Sequence, residues 1–245
     1  MNAPIRMPVA DELDWRDPTL WPDVNKLVTE DDTPVDNPFA EKQMRLLTEP
    51  LYASWPGPGD GRPFRVLANV GLYERVDRPP LVPDVMLGVD TRSPDDLLIK
   101  GHRAWFTWIV GKSPTAVIEI VSNLEGGEDT DKVTDYADLG VPYYIIHDPL
   151  NQLKKGVLRG FALREGRYVA FDPRWLPNVS LGLVLWHGTY EDVEADWLRW
   201  CDQDGSLIMT GAERAAAAEK KAKSAEERAE RLEAQLRQLG AEPSA

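Results

Sequence analysis

Cysteine occurs once in the 245 residues, at Cys201, so neither an internal disulfide nor a thiolate zinc cluster can form. Histidine is almost as scarce. His102, His147 and His187 include none of the close-spaced pairs that zinc sites use, and His147, alternating with Ile145 along an apolar run, reads as a structural residue. No apolar stretch approaches the roughly 18 residues a membrane-spanning helix needs. The start, Met1 to Pro22, is acidic and rich in Pro and Trp instead of basic and then apolar, so the chain reads as cytoplasmic, with no membrane partner. Positive charge is short too: 28 Lys and Arg stand against 41 Asp and Glu, a formal net charge of -13. That balance works against a nucleic-acid partner, because phosphate binding draws its strength from cations that displace counterions. One local exception lies between residues 151 and 170, where Lys154, Lys155, Arg159, Arg164 and Arg167 face the single acid Glu165. Lys154, Lys155 and Arg159 are candidate nucleic-acid contacts, the plainer reading being a solvated hairpin face.

The length suits one sizeable domain with an appendage. Residues 1–36 lack a sustained period and read as an extended arm held by Trp15 and Trp21. Residues 37–205 carry the domain. Met44, Leu47 and Leu51 recur at three and four, predicting a helix from Pro38 through Leu51 with Glu41 in its first turn. Strands are expected over Phe64–Tyr73, Leu81–Val89 and Val117–Val121, then a helix from Glu128 to Gly140 capped by Asp129 or Thr130. Tyr143–Asp148 is the next strand, so strand, helix and strand imply a crossover and a partly parallel sheet in an α/β core. Val157–Arg164 and Arg167–Phe171 form a hairpin across Glu165-Gly166. Residues 206–245 are a helix in which Ala215, Ala218, Ala222, Ala225, Ala229, Leu232, Leu236 and Leu239 make a heptad seam, ended by Gly240 and Pro243. This seam predicts a coiled coil and a homo-oligomer, with a single solvated helix as the alternative.

One carboxylate is out of place. Glu119 sits inside Ala116-Val117-Ile118-Glu119-Ile120-Val121-Ser122, where burying a charge is costly unless a cation lies beside it. Two acids on neighbouring strands can hold Mg²⁺, which takes one or two carboxylates and keeps several waters. Hydrolysis of a phosphodiester needs such a metal, carboxylates to hold it and a group that orients the attacking water; Asp84, Glu119 and Lys132 could supply this set. Bland readings stand beside it: Asp84 as a turn cap, Glu119 paired to a buried arginine, Lys132 solvated.

The residue order around these positions is more specific. Pro83-Asp84-Val85, the Glu119 strand, Lys132 with Tyr136, Gly140-Val141-Pro142-Tyr143-Tyr144 and Asp148-Pro149 together resemble a large bacterial family of restriction endonucleases within the PD-(D/E)XK nuclease superfamily. The resemblance continues through Leu181-Gly182-Leu183, Trp186-His187-Gly188, Trp197-Leu198-Arg199-Trp200 and the Ala/Glu-rich tail, covering roughly residues 35 to 245. It implies a restriction-endonuclease-like α/β fold, a mixed sheet flanked by helices. It also implies Mg²⁺, or Mn²⁺ in its place, held by Asp84, Glu119 and the main-chain carbonyl of Ile120, with Glu41 contacting it directly or through water. Lys132 would orient and help deprotonate water or offset phosphate charge, Ser122 would fix the strand end, and Tyr136 would support the site from behind. In the parent motif the lysine stands two residues after the glutamate, where this chain has Val121; in this family it moves to the following helix, as Lys132 does. Asn123 replaces a common proline, and Leu124 to Thr130 is unusually acidic.

The expectation is a Mg²⁺-dependent endonuclease acting on DNA. A member of the fold without activity, serving as an oligomeric interaction module, is the alternative, and a carboxylate-pair hydrolase of sugars a third. A shared cleft for Asp84, Glu119 and Lys132 favours the enzyme, whereas Glu119 neutralised by an internal arginine favours the module.

Overall fold

A computed structural model of the chain describes residues 21–27, 37–122 and 126–238. Trp15, Asn123, Leu124, Glu125, Leu239, Gly240 and Pro243 lie outside the described residues. The described piece of the arm, 21–27, lies on the domain: Val24 and Leu27 pack against Tyr73, Ala104 and Phe106. In chain order the elements are α1 (Pro38–Ser54), β1 (Phe64–Ala68), β2 (Leu72–Tyr73), β3 (Val85–Val89), β4 (Trp105–Phe106), α2 (Thr107–Val110) and β5 (Ala116–Ile120). There follow α3 (Asp131–Asp138), β6 (Tyr143–His147), β7 (Leu158–Arg164), β8 (Arg167–Phe171), β9 (Gly182–Tyr190), β10 (Val193–Cys201) and α4 (Gly211–Gln238). No helix among the described residues is long and apolar enough to cross a membrane.

Six strands make one mixed sheet in the order β1-β3-β5-β6-β7-β8. Within this sheet only the β5–β6 pair is parallel, as the α3 crossover between them allows. Strand alternation then sorts side chains between two layers. Val85, Leu87 and Val89 of β3, Ala116, Ile118 and Ile120 of β5, and Tyr143 and Ile145 of β6 face α1 and the β9–β10 hairpin. Met86, Val117, Tyr144 and Ile146 belong to the opposite core, with Tyr136 of α3. Glu119 alternates with Ile118 and Ile120, so its parity sends it to the α3 layer.

α1 follows its sequence signals. Asn37 caps it by accepting from the Ala40 N–H at 2.9 Å, and Pro38 opens it. Ala40, Gln43, Met44, Leu47 and Leu51 form the buried stripe, the two leucines fully so; burying each leucine contributes about 2 kcal/mol. Gln43 closes the edge of β10: its Nε2 donates to the Leu198 carbonyl at 2.8 Å and its Oε1 accepts from the Leu198 N–H at 2.9 Å. Here a polar side chain satisfies backbone that would otherwise be orphaned in the core.

Two expectations shift. The strand foreseen over Phe64–Tyr73 breaks after Ala68, because Asn69 takes a left-handed φ of 52° and its N–H turns to the Asp84 carbonyl; Leu72–Tyr73 then pairs with β4. The helix foreseen from Glu128 begins at Asp131. Thr130 is its cap residue without a side-chain cap bond, and Asp129 is drawn instead to Lys155, at 2.8 Å. The β9–β10 hairpin is a further gain. Its turn residues Glu191 and Asp192 have φ of 46° and 63°, an uncommon state for residues with a Cβ, and Lys42 and Arg45 of α1 each grip the Glu191 carboxylate at 2.7 Å.

Candidate functional site

Two strand registers and one helix assemble the site. β3 and β5 are antiparallel with Val85 opposite Ile118, so the next rung of the same register sets Asp84 opposite Glu119 on the α3 face. Asp84 Oδ2 accepts from the Ile120 N–H at 2.6 Å, which ties the loop before β3 to the end of β5. A glutamate there, 1% exposed, would be a stranded charge on its own. α3 answers it from above. Lys132 Nζ donates to Glu119 Oε2 at 3.0 Å, and Tyr136, one turn on, donates its hydroxyl to Glu119 Oε1 at 2.5 Å. Both oxygens of the buried carboxyl are thereby engaged from one face of one helix.

The electrostatics are unbalanced. Burial, with the field of Asp84 adding to it, pushes the Glu119 carboxyl up to about 8 against the pull of Lys132 and Tyr136. Burial works against the Lys132 ammonium, but Glu119, Glu128 and Asp84 together outweigh it and raise this group above the usual lysine range. Lys132 therefore keeps its proton at neutral pH. Glu128 is buried too and accepts from Lys132 at 3.4 Å, and its main-chain carbonyl takes the Tyr144 hydroxyl at 2.6 Å. The ammonium lies between the two carboxyl groups.

The end of β5 is secured from a second direction. Asp148, fully buried, accepts from the N–H groups of Gln152 and Leu153 at 2.8 Å each, and Gln152 Nε2 donates to the Ser122 carbonyl at 3.2 Å. Ser122 thus takes part in fixing the strand end through its main chain. Local sequence assigns Asp148 and Gln152 no role in the site, because theirs depends on a backbone path that no local spacing reveals, whereas Glu128 stands in the acidic stretch four residues before Lys132.

The other candidates lie elsewhere. Glu41 is on the α1 side of the sheet, where its carboxylate pairs with Arg45 Nε at 2.7 Å and is about half exposed. His147 faces that side too, beside Phe39; burial lowers its pKa to about 4, so it is a neutral core residue. Lys154 is exposed with a left-handed φ of 56°. Lys155 and Arg159 are drawn to Asp129, at 2.8 Å and 3.8 Å. Arg159 shares the row of Glu119 through Ile146 across β5, β6 and β7, and its Nε and Nη2 have no hydrogen-bond partner. The basic ribbon is thus woven into the acidic loop beside the site.

The donor set suits a hard cation. Among the described residues no group of three or more His, Cys, Asp and Glu side chains is arranged to hold a metal. Asp84, Glu119 and the Ile120 carbonyl offer oxygens alone, the ligands that Mg²⁺ or Mn²⁺ takes while keeping water. A buried acid pushed up by a second acid is also what a divalent cation relieves. Replacing Tyr136 by Phe should remove a donor from a buried carboxyl and cost about 1 to 2 kcal/mol in urea unfolding of the metal-free protein, with the fold kept.

Among known protein families, the family model described as Uma2, putative restriction endonuclease, fits residues 31–183, more than half of the chain. No curated protein matches the chain.

Proposed function

Since the chain belongs to the Uma2 restriction-endonuclease family, a nuclease family, we propose that it is a Mg²⁺-dependent endonuclease hydrolysing phosphodiester bonds in DNA, with Mn²⁺ able to replace Mg²⁺. The observation that carries this reading is the convergence of Asp84, Glu119 and Lys132 at the end of β5. Asp84, Glu119 and the Ile120 carbonyl would hold the cation. When bound, it supplies Lewis-acid polarisation of the scissile phosphate and neutralises the charge developing on its oxygens. Lys132 holds its proton firmly in the metal-free site, and its part is that of a charge-assisted donor that orients the attacking water and offsets phosphate charge. Tyr136 holds the Glu119 carboxyl in place from behind. Arg159, whose buried Nε and Nη2 have no hydrogen-bond partner, stands in the same row and is a candidate for a phosphate contact, with Lys154 and Lys155 near it in the chain.

One observation favours a second reading. Glu128, Asp129 and Asp131 form an acidic run next to Lys132 in the chain, which would work against phosphate and suits an inactive nuclease fold used as an interaction module. Supercoiled plasmid incubated with the purified protein in Mg²⁺ or Mn²⁺ separates the two. Nicked and linear products that vanish with chelator and in the Asp84→Asn protein support the nuclease. Intact DNA under every condition, with no calorimetric Mg²⁺ binding, would leave the module.

A further inference from the structure

α4 starts as part of the domain and ends far from it. Thr210 and Glu213 form a reciprocal capping box, the Glu213 N–H donating to Thr210 Oγ1 at 3.1 Å and the Thr210 N–H to Glu213 Oε2 at 2.8 Å. Arg199, buried in β10 under Trp186, grips Glu213 with two bonds of 2.8 Å and 2.6 Å. The Gly211 N–H donates to Glu49, and Arg214 reaches the Ala53 carbonyl. The direction of the helix is therefore set by the domain. From Ala215 to Gln238 every residue is exposed, including Leu232 and Leu236 at 50% and 41%. At 1.5 Å per residue the helix is about 42 Å long.

We propose that this exposed seam is the interface with a second copy of the chain, in a parallel, in-register, two-stranded coiled coil. With Ala215, Ala222, Ala229 and Leu236 at the a positions and Ala218, Ala225, Leu232 and Leu239 at d, the flanking positions sort by charge. Arg214, Lys221 and Arg228 fall at g. Glu219, Glu226 and Glu233 fall at e. In a parallel pair each g residue meets the e residue five positions on in the partner helix, so Lys221 meets Glu226 and Arg228 meets Glu233, each twice by symmetry, while Arg214 stays with its own domain. Residues five apart do not face each other along one helix, so the pattern does nothing for a solitary α4. An antiparallel pair would set e against e and g against g, lining both flanks with like charges. The alanines bury little area, so the three leucines near the end supply most of the apolar contact and the flanking charges choose the orientation. A parallel pair brings both domains to the same end of the coil. On the nuclease reading above, this lets two sites address one duplex.

Assembly is tested without reading cleavage. In sedimentation experiments the full chain should form a dimer, and Ala218→Cys should crosslink to its counterpart under mild oxidation, since d meets d only in the parallel register; Cys201, 1% exposed, does not compete. Lys221→Glu with Arg228→Glu places acids on both flanks, and Glu226→Lys with Glu233→Lys places bases on both. Each double variant alone should raise the dimer dissociation constant on the order of tenfold or more. Their equimolar mixture should pair as well as the unaltered chain, which a loss of folding could not produce. A chain that stays monomeric, charge variants that associate undiminished, or a mixture that fails to recover would overturn the proposal. So would an Ala218→Cys protein that does not crosslink.

Discussion

Glu119→Gln should lower metal-dependent cleavage on the order of a thousandfold while removing one pH-dependent contribution to stability. The substitution keeps the shape of the side chain. Its amide oxygen can still accept from Lys132 and its amide nitrogen can still donate to the Tyr136 oxygen, whereas the charge for a cation is gone. In the unaltered protein the folded carboxyl titrates at about 8, above the ordinary 4.5 of the unfolded chain. Between those values the native state binds one more proton than the unfolded state, so this group stabilises most fully below the unfolded pKa. Its contribution declines as pH rises through the folded one, by up to about 1.4 kcal/mol per unit. Glutamine has no such proton. The stability of the variant relative to the parent should therefore climb across pH 5 to 8, read by urea unfolding of metal-free protein. A flat difference would mean that Glu119 stays ionised throughout and that Lys132 fully compensates it.

The second large effect is expected far from the site, at Glu213→Ala. Arg199 is almost wholly buried and makes its two charged contacts with this carboxylate, so truncation strands a guanidinium inside β10. The capping box of α4 goes as well. About 3 kcal/mol should be lost in denaturant unfolding, even though Glu213 itself is partly exposed. Replacing Arg199 by Met together with Glu213→Ala should recover much of this, because no unpaired charge then remains. If the single and the double variant are equally unstable, the loss comes from the helix start and packing instead of the ion pair.

The sequence and the tertiary structure contributed different kinds of information. Periodicity found α1 from Met44, Leu47 and Leu51, and Glu165-Gly166 marked the β7–β8 turn because both residues take the positive φ that such a turn needs. The β9–β10 turn needs the same backbone but is built from Glu191-Asp192. It is held by Lys42 and Arg45 from α1, 146 or more residues away, and so left no local mark. Alternation along β5 already determined that Glu119 would stand apart from Ile118 and Ile120. A lone acid in an apolar strand had to find a cation, since its burial is otherwise prohibitive. Only the register between β3 and β5 decided that the second acid on that rung would be Asp84, because strand pairing is a contact between segments more than thirty residues apart. Only the crossover decided that α3 would lie over that rung, bringing Lys132 and Tyr136 to its two oxygens. Glu128, four residues before Lys132, then adds a second acid beside the ammonium, whose charge is held chiefly by Glu119.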